Sequence, residues 1–307
     1  MAADTPAPTI SVIVPTRDRA RSLKLLLDSF DGLEAPPVPY EIIVADNGSA
    51  DDTPRILADW RAAGPNRDFV RVAEPGKSRA VNAAITRSRG ELIAMCDDDV
   101  EVEPRWLAEI WDYFQSHDCA AAQGSVVWPD EAMRDPELYA LLDRYRTIVH
   151  LDLPPDTVRT KLTGANMTVR RHTFAVVGTF NEAIGPGAAG LSEDNELADR
   201  ILRHGGWIGY MAKARVVHEI DRARLTESYF KEYHRRQGRS RYAYKHNGIF
   251  SSILPNMAKA AGHYVLYTVT GNTRRRYRAK GRYFHYRVML ELALAERGRG
   301  EPAGRRT

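Results

Sequence analysis

The chain has 307 residues, 43% of them hydrophobic and 27% charged, a balance that fits one sizeable globular core with an appended region and excludes a fibrous or wholly disordered chain. Its net charge of +4 conceals a division: residues 222–307 carry 20 Lys and Arg against 5 Asp and Glu, +15, whereas residues 1–221 carry 24 against 35, −11. Two cysteines cannot build a disulfide framework, and Cys96 and Cys119, both in apolar runs, read as buried thiols of a reducing, cytosolic compartment.

In chain order, residues 9–14 (TISVIV) form an apolar, β-branched run ended by Pro15, a buried strand. Leu23, Leu26, Leu27 and Phe30 then recur at helical spacing. Residues 40–45 (YEIIVA) predict a second strand, closed by the turn chemistry of Asp46-Asn47-Gly48-Ser49. Asp52 is placed to cap the next helix, with Pro54 in its first turn. A third strand is expected over 69–73, a helix over 77–87 behind Gly76, and a fourth strand over 91–96 that runs into Asp97-Asp98-Asp99. Residues 106–114 are helical again. This alternation predicts an α/β fold: a mostly parallel, Rossmann-like sheet flanked by helices, with ligands beyond the carboxyl ends of the strands. Thr16-Arg17-Asp18, Asp46-Asn47-Gly48 and the three aspartates all fall at those ends.

Further along, strands are expected over 120–128 and 164–170, then a glycine-rich loop over 185–190 and a helix over 193–202. Residues 207–217 read as extended, and from Leu225 onward the pattern is helical with aromatic and arginine residues interleaved. The chain thus divides into a body, 1–221, and a helical, basic C-terminal region, 222–307. No stretch approaches the roughly 18 apolar residues that span a bilayer. Residues 1–8 lack the basic and apolar regions of a signal peptide and read as a disordered lead-in.

Asp97-Asp98-Asp99 is the strongest local signal, because adjacent carboxylates repel and a divalent cation relieves that repulsion. Oxygen ligands suit Mg²⁺ or Mn²⁺. If the segment is extended, Asp97 and Asp99 face one way and Asp98 the other; the bland alternative is an acidic cap on the next helix. Asp46 and Asn47 open either a plain Asx-turn or a site where Asp46 accepts from a nucleobase edge. Lys77 and Arg79 are cations at a helix start, unfavourable there without an anionic partner such as a diphosphate. Glu193-Asp194 reads either as first-turn capping or as a site where Asp194 is a general base. His218 is a structural histidine or, beside a metal site, a ligand.

Six segments taken together resemble the family-2 inverting glycosyltransferases of GT-A fold: SVIVPTRDR, EIIVADNGSADDT, GKSRAVNAA, ELIAMCDDDVEVEPRWL, GANMTVRR with VVGTFNEAIG, and LSEDNELADRILRHGGWIGY with ARVVH. They follow the family's order over about residues 9–220. The resemblance implies a nucleotide-sugar half over about 9–120 and an acceptor half over 121–221. It implies Thr16, Arg17 and Asp46 around the base and Asp97 and Asp99 as the metal and ribose carboxylates, and the expected donor site also takes in Pro15, Asn47, Lys77, Arg79 and Asp98. It also implies Asp97, Asp99 and His218 on Mg²⁺ or Mn²⁺, and Asp194, with Glu193 beside it, as the base that activates an acceptor hydroxyl. The processive synthases' Gln-x-x-Arg-Trp motif is absent, so single-sugar transfer to a glycan or lipid-linked acceptor is the expectation.

A nucleotidyltransferase ranks below this reading, since no glycine-rich basic loop follows the first strand. A non-catalytic reading rests on the tail, whose arginines interleave with Tyr233, Tyr242, Tyr244, Tyr277, Tyr283 and Tyr286. That mixture suits RNA, a bilayer or simple solvation. Peripheral contact with an anionic membrane at the cytoplasmic face is preferred over nucleic acid.

Overall fold

The structure is a computed structural model that describes residues 8–245 and 247–298. All but Pro8 of the expected N-terminal lead-in lies outside the described residues. In chain order the elements are β1 (Ile10–Thr16), α1 (Ala20–Asp31), β2 (Tyr40–Asp46), α2 (Thr53–Ala62), β3 (Arg67–Arg71), α3 (Lys77–Arg87) and β4 (Leu92–Met95). They continue with β5 (Val100–Val102), α4 (Trp106–Ser116), β6 (Ala121–Val127), α5 (Asp130–Arg134), α6 (Pro136–Tyr145), β7 (Met167–Arg170) and α7 (Arg171–Val177). The last are α8 (Glu193–Arg203), β8 (Ile208–His218), α9 (Glu227–Tyr244), α10 (Leu254–Val269) and α11 (Thr273–Gly298).

The chain forms two compact units: Met1–Pro129, Val149–Glu182 and Glu193–Glu219 make the first, and Asp130–Ile148, Ala183–Ser192 and Ile220–Thr307 the second. The expected division near residue 221 therefore changes in one respect. Two internal segments join the basic C-terminal region, because α5, α6 and the glycine-rich loop pack with it.

The first unit is an eight-stranded sheet of order β3-β2-β1-β4-β7-β6-β8-β5. β1 pairs in parallel with β2 and β4, β2 with β3, and β6 with β8, while β7 and β5 enter antiparallel. The central strands are apolar on both faces, as strands covered by helices on both sides must be. Period-2 alternation sends Val12, Val14, Ile42 and Val44 to one face, where the Leu23–Leu26–Leu27–Phe30 stripe of α1 and Trp106 of α4 cover them. Ile13, Ile43, Ile93 and Met95 go to the other, against Ala80, Val81, Ala84 and Ile85 of α3 and Leu197 and Ile201 of α8. Cys96 and Cys119 are free and buried; burial pushes both thiols up, Cys119 to about 11, so neither is a ready thiolate.

Three local expectations shift. Asp51, not Asp52, caps α2: its carboxylate accepts from Thr53 N at 3.0 Å and also from Ala20 N at 2.9 Å, at the start of α1. The Asp52 side chain makes no capping bond. β3 pairs with β2 two residues earlier than expected, since residues 72–74 turn away to meet Asn47. β7 is shorter than expected because Gly164 and Asn166 belong to a turn. Asn166, fully buried, accepts from Trp106 Nε1 at 3.0 Å and donates to the carbonyls of Ser125 and Ala214, both at 2.8 Å.

The second unit is helical. Asp135 caps α6, accepting from Glu137 N and Leu138 N, and Thr226 caps α9. A π-helical turn, Ile249–Ile253, leads into α10. Ile249, Ile253, Met289 and Ala293 form a small apolar core, and Tyr145, Phe230 and Tyr277 an aromatic one. Gly238 and Gly281 let α9 and α11 approach closely: a Cβ at Gly281 would stand 2.3 Å from His234 Nε2. Among the described residues no helix is long and apolar enough to cross a membrane.

Candidate active site

The carboxyl edge of the sheet gathers most of the singled-out residues. β1 ends at Thr16 and β2 at Asp46, in register with each other. β4 is paired with β1 one strand over, and the chain leaves it into the three aspartates. That departure is a turn at Asp98-Asp99, not an extended run, so the expected alternation does not hold. Asp97 reaches Lys77 Nζ at 2.7 Å. Asp98 and Asp99 instead share one guanidinium: Arg19 Nη1 lies 2.7 Å from Asp99 Oδ2 and 3.4 Å from Asp98 Oδ1. Thr16 Oγ1 donates to Asp98 Oδ2 at 2.7 Å. Burial, with Asp99 and Asp97 nearby, pushes the Asp98 carboxyl up to about 7 against the opposing pull of Arg19 and Thr16.

His218 arrives by register: β5 and β8 run antiparallel with Val100 opposite His218, which sets the imidazole beside Asp99. Nε2 is 3.7 Å from Asp99 Oδ1, and both side chains are buried. Nδ1 lies 2.9 Å from the Glu219 carbonyl, an acceptor only, so Nδ1 carries the proton and donates. In the neutral ring Nε2 then turns its lone pair toward the carboxylate. Two buried donors, one nitrogen and one oxygen, with the imidazole tautomer fixed from behind, fit a divalent cation. Among the described residues no group of three or more His, Cys, Asp or Glu could hold a metal by itself. A cation here would complete its shell from substrate phosphates and water, as Mg²⁺ commonly does.

Lys77 is the centre of a second cluster. Besides Asp97 it lies 3.2 Å from Glu193 Oε1, and Asp194 follows at the start of α8. The helix-start cation is thus balanced by this chain's own carboxylates, and although burial works against its charge, Asp97 and Glu193 hold Lys77 protonated. Asp194 accepts from Gly164 N at 3.0 Å and from Asn195 N at 2.7 Å. Burial and the adjacent Glu193 push its carboxyl above the usual carboxylate range, with Lys77 opposing. A small pocket opens here, walled by Pro15, Lys77, Asp97, Gly164, Glu193 and Asp194. A Cβ at Gly164 would stand 3.0 Å from Lys77 Nζ and 3.3 Å from Asp97 Oδ1, so the glycine keeps that wall open. A larger depression, about 320 Å³, lies at the amino ends of β2 and β3 around Glu41 and Asn66 and contains none of these residues.

The nucleotide-side candidates separate. Asp46 is fully buried, and its Oδ1 accepts from Ser49 N at 2.8 Å, closing the turn. Its Oδ2 accepts no hydrogen bond but is ion-paired with Arg71, whose Nε lies 3.6 Å away. Asn47 is committed to the fold, donating to Glu74 O at 2.8 Å and accepting from Gly76 N at 2.8 Å. Arg17 is half exposed and pairs with its neighbour Asp18. Arg79 is placed outside the carboxylate clusters, in surface pairs with Glu74 and Glu182. Arg19 and Gly164 escaped the sequence reading although both lie within quoted motifs; nothing in their spacing distinguishes them from Arg17 or Gly76.

A sheet of this order with carboxylates along its carboxyl edge is a GT-A-type glycosyltransferase fold. It matches a mannosyltransferase from Pyrobaculum calidifontis solved with GDP-Man and Mn²⁺ (TM-score 0.57, 19% identity, 98% of this chain and 77% of that one). It also matches residues 1–349 of Staphylococcus aureus TarS solved with UDP-GlcNAc (TM-score 0.56, 14% identity, 95% of this chain and 92% of that one). Residues 11–177, more than half of the chain, match the family described as Glycosyl transferase family 2, and the chain belongs to that family. A curated relative, the beta-monoglucosyldiacylglycerol synthase of Synechocystis sp., is 25% identical over 228 residues, 71% of this chain and 45% of that protein. The chain spans less than half the length of the first curated relatives it matches, from 21% to 45%.

Proposed function

We propose that this protein is an inverting glycosyltransferase that moves one sugar from a nucleoside-diphosphate sugar to a hydroxyl of a glycan or lipid-linked acceptor. The observation that carries the reading is Asp194: a carboxyl raised by burial and by Glu193, on the wall of a pocket shared with Lys77 and Asp97. A base with an elevated pKa is matched to taking a proton near neutral pH. Asp194 accepts the proton of the attacking hydroxyl, while its bonds from Gly164 N and Asn195 N hold the carboxylate in place. Asp46 offers its Oδ2, which accepts no hydrogen bond and is ion-paired with Arg71, to an N–H of the base edge, and Pro15 and Thr16 lie on the same sheet edge. Asp99 and His218 would hold Mg²⁺ or Mn²⁺, which when bound neutralises charge on the leaving diphosphate. Arg19, now between Asp98 and Asp99, is the cation nearest those carboxylates and contributes the same sign of charge. Lys77 stays protonated and fixes Asp97 and Glu193 against each other. The second unit supplies contact with an anionic membrane at the cytoplasmic face, in keeping with its basic composition.

Calorimetric titration with UDP, GDP and dTDP, each with Mn²⁺ and with EDTA, tests this reading. Metal-dependent binding of one nucleotide supports it and identifies the base. Folded protein that binds none of them overturns it.

A further inference from the structure

Helix α10 carries an apolar stripe of the kind that α1 buries, but on its outer face. Pro255, Ala258, Gly262, Val265, Leu266 and Val269 recur at helical spacing and all are exposed, Val265 at 62%, Leu266 at 51% and Val269 at 82%. The single buried residue of α10, Ala260, lies on the opposite side of the helix. Between residues 247 and 273 one side chain is charged, Lys259. At the end of the stripe the charge changes abruptly: Arg274, Arg275 and Arg278 open α11 and are exposed. Arg274 pairs with Asp143 at 3.4 Å, and Arg275 lies over the Tyr267 ring at 5.7 Å. Arg146, at the end of α6, completes a cluster of like charges. Burial, and then the proximity of Arg274 and Arg278, disfavour its charged form. An apolar stripe bordered by a cationic cluster asks for an occupant that is apolar in one layer and anionic in the next.

We propose that the outer face of α10 and the arginines at the start of α11 dock on an anionic phospholipid bilayer, Val265, Leu266 and Val269 entering the acyl boundary and the guanidiniums meeting phosphate head groups. A second copy of the chain fits less well, since it would bring the same arginines against each other. Nucleic acid would pair with the arginines but leave the valines and leucine in water. The docking surface gives the membrane contact of the reading above a definite place, yet it does not depend on the donor chemistry, so the two fail separately.

The test is flotation of the full chain at low salt with phosphatidylcholine vesicles, with and without about 30% phosphatidylglycerol. The protein floats with the anionic vesicles, not with the neutral ones, and salt releases it. Val265→Ser with Leu266→Ser and Val269→Ser lowers the bound fraction at least about tenfold. Arg275→Gln with Arg278→Gln lowers it about fivefold to tenfold. Both variants keep the parent's circular dichroism and nucleotide binding, because every altered side chain is exposed. Independently, the indole of Val269→Trp shifts its emission to the blue on anionic vesicles alone. The proposal is overturned by a parent chain that does not float, by stripe variants that float as the parent does, or by an unshifted indole. A dimer in light scattering that the stripe variant dissolves overturns it too, by assigning the face to a second copy.

Discussion

The two units handle charge in opposite ways. In the first, buried and partly buried carboxylates are matched at close range by cations of the same unit: Asp98 and Asp99 by Arg19, Asp97 and Glu193 by Lys77. Charges taken out of water in this way must be paired and hydrogen-bonded, and at Asp98 burial outweighs the pull of Arg19 and raises the carboxyl pKa. In the second, arginines cluster on the surface and an apolar helix face stands exposed beside them. Compensation within the first unit leaves a pocket walled by Lys77 and three carboxylates, whereas in the second Arg274 pairs with Asp143 and the neighbouring Arg275 and Arg278 stay exposed. The contrast shows why net charge says little about local environment: residues 1–221 are the more acidic, yet their clustered carboxylates are paired with the half-exposed Arg19 and the partly buried Lys77.

The most severe way to break this contrast is at Asp194. Asp194→Asn should cut the turnover number by about 10² to 10⁴-fold while leaving nucleotide affinity nearly unchanged, as transfer assays and calorimetry together would show. An unimpaired rate would remove Asp194 as the base. Asp99→Ala should abolish the metal-dependent part of nucleotide binding, and calorimetry with Mn²⁺ against EDTA reads this without any transfer assay. Unchanged affinity would take Asp99 out of the metal site.

pH separates the units next. Because the Asp194 carboxyl is raised and the base acts unprotonated, the turnover number should fall on acidification at a pH above the ordinary carboxylate range. His234 in the second unit moves the other way: burial lowers its pKa from 6.5 to about 4, against the hydrogen bond that its Nδ1 donates to Gln237 Oε1 at 3.2 Å. The unfolded chain therefore binds the extra proton first, and stability present above about 6.5 is lost as pH falls toward 4. The difference corresponds to roughly 3 kcal/mol at full expression, read as a drop in Tm that His234→Phe abolishes. The same acid dependence in the variant would place its origin elsewhere.

The smallest expected effect is also informative. Arg79→Ala should change stability by less than about 0.5 kcal/mol and leave nucleotide affinity within about twofold, since its partners are exposed surface carboxylates. A large loss of affinity would mean that Arg79 leaves Glu74 and Glu182 to meet the donor.

Much of the frame was legible because it rests on short-range patterns. The runs around Val12, Ile43 and Ile93 and the α1 stripe name strands, a helix and the faces they bury, and the polar clusters at the strand ends mark the productive edge. The second half was less legible where contacts join distant segments: Asn166 is one residue in a quoted motif, yet it ties β6, β8 and α4 together through its side chain.

By itself the sequence determined the alternation of strand and helix, the acidic edge, the basic tail and the membership of a glycosyltransferase family, since these depend on residue type and order. Only the tertiary structure decided that Arg19 sits between Asp98 and Asp99, that Lys77 answers Asp97 and Glu193, and that Arg79 stays on the surface. Cations and carboxylates pair by distance in space, and partners 20 to 116 residues apart leave no periodic trace in the chain. The outward stripe of α10 is the same lesson: its spacing matches that of α1, and packing alone set one facing the core and the other facing solvent.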